Sequence, residues 1–313
     1  MNLGFVLGSL FFCVIAGFIL GRVRSLAPES LVTVIMDVLM PALVFDALLT
    51  AEISLHDMAL SAAASSAVIF SLFILCLPAS RLMGLPLRSF SLPVLFMNAG
   101  FLGIPLMSLA FGPRAVGHIV VFDQVQSLFM FTLGIWIAAR PAADGVARSE
   151  GAAILIRSSV LAFLREPLIY AIVIATALRA GQIGVPETIL RPIRYLGAAT
   201  PQMALFALGL RLAATPLSLL ARPDMIKRLL LIVVLRFAGG LACGYLVVSI
   251  LSLEGLVRQV VLIASALPSA VFSYILAERY RAEPDLAASA VFVTTVLSIP
   301  ILPALLKLAT VSD

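Results

Sequence analysis

The chain has 313 residues, of which 62% are hydrophobic and only 12% charged, whereas soluble domains run at roughly 45–50% and 25%. This composition excludes an ordinary soluble enzyme. The formal net charge of +5 is spread over short loops rather than gathered into a nucleic-acid-binding patch, so the chain reads as an integral membrane protein that partners lipid and no nucleic acid.

A window of about 20 apolar residues spans about 30 Å of hydrocarbon. Such windows lie near residues 3–21, 30–50, 57–77, 89–110, 114–138, 165–183, 195–213, 226–250, 256–277 and 286–308. The predicted fold class is an all-α membrane protein with ten transmembrane helices. The first window lacks a charged leader and an evident small-residue cleavage site, so it reads as retained. Gly17…Gly21 there, and Gly240…Gly244 in the eighth window, have the spacing of close helix packing. The second window carries Pro41 between Asp37, expected to be buried, and Asp46, expected to be wet near the outer end.

The fourth window contains Met97-Asn98-Ala99-Gly100-Phe101-Leu102-Gly103-Ile104-Pro105. Lipid offers no partner for a freed backbone group, so a helix break here must be buried in protein or face a wet cavity. The fifth window holds Asp123 within Phe122-Asp123-Gln124-Val125-Gln126. The connection 139–164 is polar from Arg140 to Glu150, and its apolar second part predicts an interfacial amphipathic helix. Arg165, Glu166 and Pro167 crowd the start of the sixth window. The seventh has Pro201-Gln202, the eighth Arg236, and the ninth a second break at Ala266-Leu267-Pro268-Ser269-Ala270. His56 and His118 fall at loop edges and read as solvated. Cys13, Cys76 and Cys243 lie inside apolar windows without metal-ligand spacing and read as small apolar residues.

The features recur: Pro41 matches Pro201, the two breaks match, and Val121-Phe122 matches Val291-Phe292. Five segments per half is odd, so residues 165–313 form an inverted copy of residues 1–138. Paired interruptions of this kind point to a secondary-transporter site near the midplane, the alternative being two kinked packing helices. Arg22, Arg24, Arg81, Arg88, Arg140 and Arg148, with others, fall in loops on one side. The positive-inside rule puts that side in the cytoplasm and both termini outside it.

The second half of a broken helix presents free N–H groups and about half a positive charge, which suits an anion. Asn98 supplies two donors and an acceptor, and it reads either as a substrate contact or as a helix–helix hydrogen bond. Ala99, Gly100, Pro268, Ser269 and Ala270 complete the two breaks, and Gln202 either lines the site or steadies the Pro201 kink. An aspartate inside a spanning helix costs about 2.5–3.5 kcal/mol to insert and so faces the protein interior. Asp123 therefore reads as a proton carrier or as the structural partner of Arg236. Arg236 could instead hold a substrate carboxylate, and Asp37 is a further charge near the site. No hydrolase elbow, phosphate loop or zinc signature occurs, so neither enzyme chemistry nor a metal or cofactor is expected.

Asn98 to Leu106 (NAGFLGIPL) and Ala266 to Tyr280 (ALPSAVFSYILAERY), continuing through Glu283-Pro284-Asp285-Leu286, resemble the auxin efflux carrier family. Phe163 to Pro167 and Met203 to Gly209 are weaker matches. The resemblance implies a scaffold of helices 1, 2, 6 and 7, a mobile transport domain of helices 3–5 and 8–10, a homodimer and elevator-like motion. It implies a secondary carrier of a small organic anion in the bacterial plasma (inner) membrane. Plant members have a proline where Met97 stands and a larger amide where Ser269 stands. These departures point away from auxin, towards the malate- or malonate-like acids assigned to bacterial relatives. The alternatives are a sodium-coupled symporter of the bile-acid type, which needs acidic and amide ligands around the crossing, and a non-transporting membrane receptor, which needs a signalling domain.

Overall fold

Apolar runs that cannot borrow hydrogen bonds from water must close them internally, and helices do so. The computed structural model describes residues 3–24, 26, 29–50, 54–139, 157, 161, 164–165, 167–213 and 223–311. Within them the structure is helical apart from turns and one isolated bridge. In chain order the helices are α1 (Leu3–Arg24), α2 (Glu29–Thr50), α3 (Leu55–Met83), α4 (Leu87–Leu95), α5 (Ala99–Phe111) and α6 (Pro113–Ala138). There follow α7 (Pro167–Ala180), α8 (Glu187–Ala213) and α9, which runs from Pro223–Val234 through a π-turn at Leu235–Gly239 into Gly240–Ile250. The last are α10 (Gly255–Ser265), α11 (Val271–Arg279) and α12 (Pro284–Val311). Among the described residues, six helices (α2, α3, α6, α8, α9 and α12) are long and apolar enough to cross a membrane, and α5, α7 and α10 are shorter apolar helices. The interfacial helix expected before residue 165 lies almost wholly outside the described residues.

The chain divides into two compact units. The first comprises Met1–Ala59, Gly100–Val121 and Leu164–Ala214. In it α1 packs along α8, with Gly17 and Gly209 back to back. A Cβ on Gly209 would run into the Val14 carbonyl and lie 2.7 Å from the Phe18 nitrogen and 3.0 Å from Gly17 Cα. One on Gly17 would strike the Phe206 carbonyl. These backbones touch only because both side chains are missing. Further along α8, Gly197 lies against α2, where a Cβ would come 2.9 Å from Leu43 Cα. Thr200 Oγ1 donates to the Leu39 carbonyl at 2.7 Å. Leu39 closes a π-turn (Ile35–Leu39) just ahead of Pro41. On α1, Phe12, Ile15, Ile19 and Val23 stay exposed at helical spacing. A soluble helix would bury such a stripe; lipid accepts it.

The second unit comprises Leu60–Ala99, Phe122–Phe163 and Thr215–Asp313. Its centre is α4, whose residues from Ser89 to Leu95 are all buried and against which α9, α11 and α12 pack. The C-terminal half of α10, Val260 to Ser265, is equally buried. Ser65 Oγ donates to the Phe122 carbonyl at 2.8 Å and ties α3 to α6. The cysteines are unpaired, with Cys76 and Cys243 buried and Cys13 half-buried.

Three expectations change. His118 is buried inside α6 at 4% exposure instead of wet at a loop edge, because α6 begins at Pro113 and its first turns are already packed. Asp37 is exposed, since the π-turn beside Pro41 carries it away from the packed face. The sixth window contracts to α7, which ends in a turn after Ala180.

Candidate functional site

Two buried helices stop short of each other inside the second unit, and each loses carbonyl partners by stopping. The last helical bond of α4 runs from the Phe96 N–H to the Leu92 carbonyl at 3.2 Å. Phe96 is extended (φ −107°, ψ 118°), as is Ala270 before α11 (φ −68°, ψ 139°). The two extended stretches pair as an antiparallel bridge, Met97 opposite Ser269. Asn98 N–H donates to the Pro268 carbonyl and Ala270 N–H to the Phe96 carbonyl, both at 2.8 Å. Each break thus supplies the backbone partners that the other lacks.

The bridge has two outer edges, and side chains close them. Met97 N–H donates to Gln126 Oε1 at 2.9 Å, and Gln126 Nε2 donates to the Met97 carbonyl at 2.8 Å. One amide side chain from α6 so stands in for a third strand. On the other side Ser269 N–H donates to Thr294 Oγ1 at 3.1 Å. In an unbroken helix the carbonyls of Pro93 and Val94 would accept from Met97 and Asn98, and that of Ser265 from Ser269. Ser269 Oγ takes the Pro93 carbonyl at 2.6 Å. The guanidinium of Arg236 takes the other two, Nη1 donating to Val94 and Nη2 to Ser265. Arg236 is fully buried (0% exposed). Gly240, one turn on, makes room for it: a Cβ there would lie 2.5 Å from Arg236 Nη2.

The structure brings Asn98, Ala99, Pro268, Ser269, Ala270 and Arg236 together in the second unit. Gly100 follows directly in the chain and opens the first unit's segment. Gln202 and Asp37 belong to the first unit, and both are exposed. Asp123 is half-buried with Gln124 Nε2 at 3.5 Å, and it is not among the partners of Arg236, which are the Val94 and Ser265 carbonyls and, at 3.9 Å, the Met97 sulfur. Asn98 is only 3% exposed, yet its Nδ2 has no hydrogen-bond partner among the described residues. Its backbone is spent on the bridge and its amide is not. The first break is also narrower than the nine-residue stretch read from the sequence. Helix resumes at Ala99 as a π-turn through Gly103 and runs on as regular α-helix from Ile104, with Pro105 the second residue of that stretch.

A model of the family described as membrane transport protein matches residues 6–306. The chain belongs to this family, that of the auxin efflux carriers. An uncharacterized transporter of Methanocaldococcus jannaschii is 25% identical over 202 residues, 64% of this chain and 62% of that protein. Another, from Methanothermobacter thermautotrophicus, is 26% identical over 210 residues, 66% and 63% of the two chains. The matches therefore span less than two thirds of these archaeal relatives. Auxin efflux carrier component 1 of Arabidopsis thaliana is 29% identical over 119 residues, 38% of this chain and 19% of the plant protein. The family is one of membrane transporters and not of enzymes.

Gln126 and Thr294 were not legible as site residues of this membrane transport protein. A glutamine in an apolar window signals that some buried polar group needs it, but not which one, and Gln124 stands two positions away. For Arg236, glycines at positions 240 and 244 were the available signal, since they clear a channel along one helix face.

Proposed function

We propose that the protein is a secondary carrier for a small organic anion, with a carboxylate held at the paired breaks by Asn98. The reading is supported by one observation above all, the buried amide nitrogen of Asn98 that has no hydrogen-bond partner among the described residues. A buried donor left unpaired costs about 1–3 kcal/mol, and a family of transporters offers the obvious recipient, the transported molecule. Chemistry favours an anion: α5 and α11 start beside the bridge, and each helix N-terminus carries roughly half a positive charge. Ala99, Gly100 and Ala270 add no bulk, the Ala99 and Ala270 N–H groups being already bonded to the Met97 and Phe96 carbonyls, and Ser269 and Pro268 hold the second break in place.

On this reading the chain forms ten spanning helices in two inverted repeats, 1–138 and 165–313, joined by the cytoplasmic connection 139–164. Helices four and nine are the broken pairs α4–α5 and α10–α11. Helices 1, 2, 6 and 7 act as scaffold, with Gln202 and Asp37 on it, and helices 3–5 and 8–10 carry the anion in an elevator-like movement. The protein sits as a homodimer in the plasma membrane with both termini outside the cytoplasm, and Asp123 is its candidate proton site. Malate- or malonate-like acids are the first substrates to test.

Asn98→Ala tests the assignment. It leaves the bridge intact, because only the Asn98 backbone takes part in it, so melting in detergent should match the wild type. A lost hydrogen bond to a charged ligand costs about 1.5–3 kcal/mol, so affinity for mono- and dicarboxylates should fall by about one to two orders of magnitude. Unchanged affinity in the folded variant would remove Asn98 from the binding site.

A further inference from the structure

Broken-helix carriers that couple to sodium hold the ion with unwound backbone carbonyls and the C-terminal ends of half-helices. Here those ends are α4 and α10, and among the carbonyls their breaks release are those of Val94 and Ser265. Both accept from the same buried guanidinium, that of Arg236. Each helix C-terminus carries about half a negative charge, so two of them match one guanidinium, which stays charged in a protein. We propose that Arg236 is a built-in cation that occupies the cation position at the paired breaks, so that this carrier works without a coupling sodium ion.

Several features of the position favour a resident cation over an exchangeable one. Arg236 is fully buried and sits in the π-turn Leu235–Gly239, an insertion often found at functional sites. Gly240 and Gly244 bring α9 hard against Ser265, where side chains would collide: a Cβ on Gly244 would lie 2.7 Å from Ser265 Oγ. The guanidinium is thereby held over the ends of both half-helices. Planar and forked, it reaches two carbonyls on separate helices at once, which the single ammonium of lysine does less well. Substrate contact is left to Asn98, on the other side of the Met97–Ser269 bridge in the chain. Arg236 then acts on transport by positioning the two half-helices and balancing their charge.

The transport half of this inference rests on the carrier reading above; the cation half does not, and the experiment separates them. Purified wild type and Arg236→Ala are melted in detergent with choline chloride, sodium chloride or low-millimolar guanidinium chloride. The variant should melt below the wild type in choline, and guanidinium should raise its melting temperature by a few degrees by filling the emptied position, while leaving the wild type unmoved. A variant as stable as the wild type, or one indifferent to guanidinium, would overturn the assignment. Should Arg236→Ala not fold, Arg236→Lys retains a cation and should yield folded protein of lower melting temperature; a lysine variant that also fails to fold, or that melts like the wild type, counts against charge balance with forked donors. In proteoliposomes, wild-type carboxylate uptake should be equal in sodium and choline, and Arg236→Ala should lose more than about tenfold in rate. Strict sodium dependence of the wild type would overturn the proposal. Uptake of no acid at all would overturn the carrier reading and leave the melting comparison to decide on Arg236.

Discussion

The α1–α8 contact of the first unit and the paired breaks of the second both bring backbone against backbone, by opposite means. At Gly17 and Gly209 the helices stay whole and the side chains are removed, so two fully bonded backbones touch through dispersion alone. At Met97 and Ser269 the helices are cut, and the freed backbone groups bond to one another and to Gln126, Thr294, Ser269 and Arg236. A contact of the first kind resists added volume. One of the second kind resists lost hydrogen-bond partners, and only it places polar groups and helix ends at depth in an apolar chain. That difference explains why the candidate site lies at the breaks and not at the tighter glycine contact.

Substitutions that remove partners without adding volume should therefore hurt the breaks most. Gln126→Leu strands the N–H of Met97, at about 1–3 kcal/mol, and removes one of two donors from the Met97 carbonyl, which keeps the Ala99 N–H at 2.8 Å; it should lower stability by roughly 1.5–4.5 kcal/mol, read from unfolding in detergent and denaturant. Thr294→Val keeps shape and strands only the Ser269 N–H, so a smaller loss of about 1–3 kcal/mol is expected. Equal losses for the two variants would mean that the bridge edges are not closed as described.

The glycine contact should respond to the opposite change. Gly209→Ala adds one methyl against the Val14 carbonyl and should cost about 1–3 kcal/mol, the usual range for overpacking. The same change at Gly184, where a Cβ would meet nothing within 4 Å, is the matched control and should be silent. If both glycines tolerate alanine equally, close approach is not what holds α1 to α8.

The smallest effect belongs to the exposed pair between Arg194 and Asp46, 3.3 Å apart with Arg194 side-chain exposure of 45%. Exposed ion pairs contribute little, so Arg194→Ala should leave the melting temperature unchanged within error. A clear drop would show that this edge of the first unit carries more of its stability than packing suggests.

The breaks themselves were readable in the chain because Asn98, Gly100, Gly103, Pro105 and Pro268 violate what lipid demands of a spanning helix. Their placement was read less well. Gly100 and Gly103 lie in a π-turn and Pro105 in the α-helix that continues it, so all three fall inside a resumed helix. Arg236 was recognised as a buried charge, but a carboxylate or substrate was expected opposite it, where the fold supplies two carbonyls. A sequence names charged side chains; carbonyls freed by a break exist only once the break has an exact end residue.

By itself the sequence determined that the chain lives in lipid, that it is helical, and that two of its apolar segments are interrupted, because each follows from local composition and the bonding needs of one segment. The family followed from the motifs at those same interruptions. The tertiary structure decided which groups answer one another: Gln126 for Met97, Thr294 for Ser269, Arg236 for Val94 and Ser265, and, among the described residues, no partner for the amide nitrogen of Asn98. Those pairings join residues from 25 to 142 positions apart. They depend on the rotation and depth at which helices pack, which the polarity of any single residue leaves undetermined.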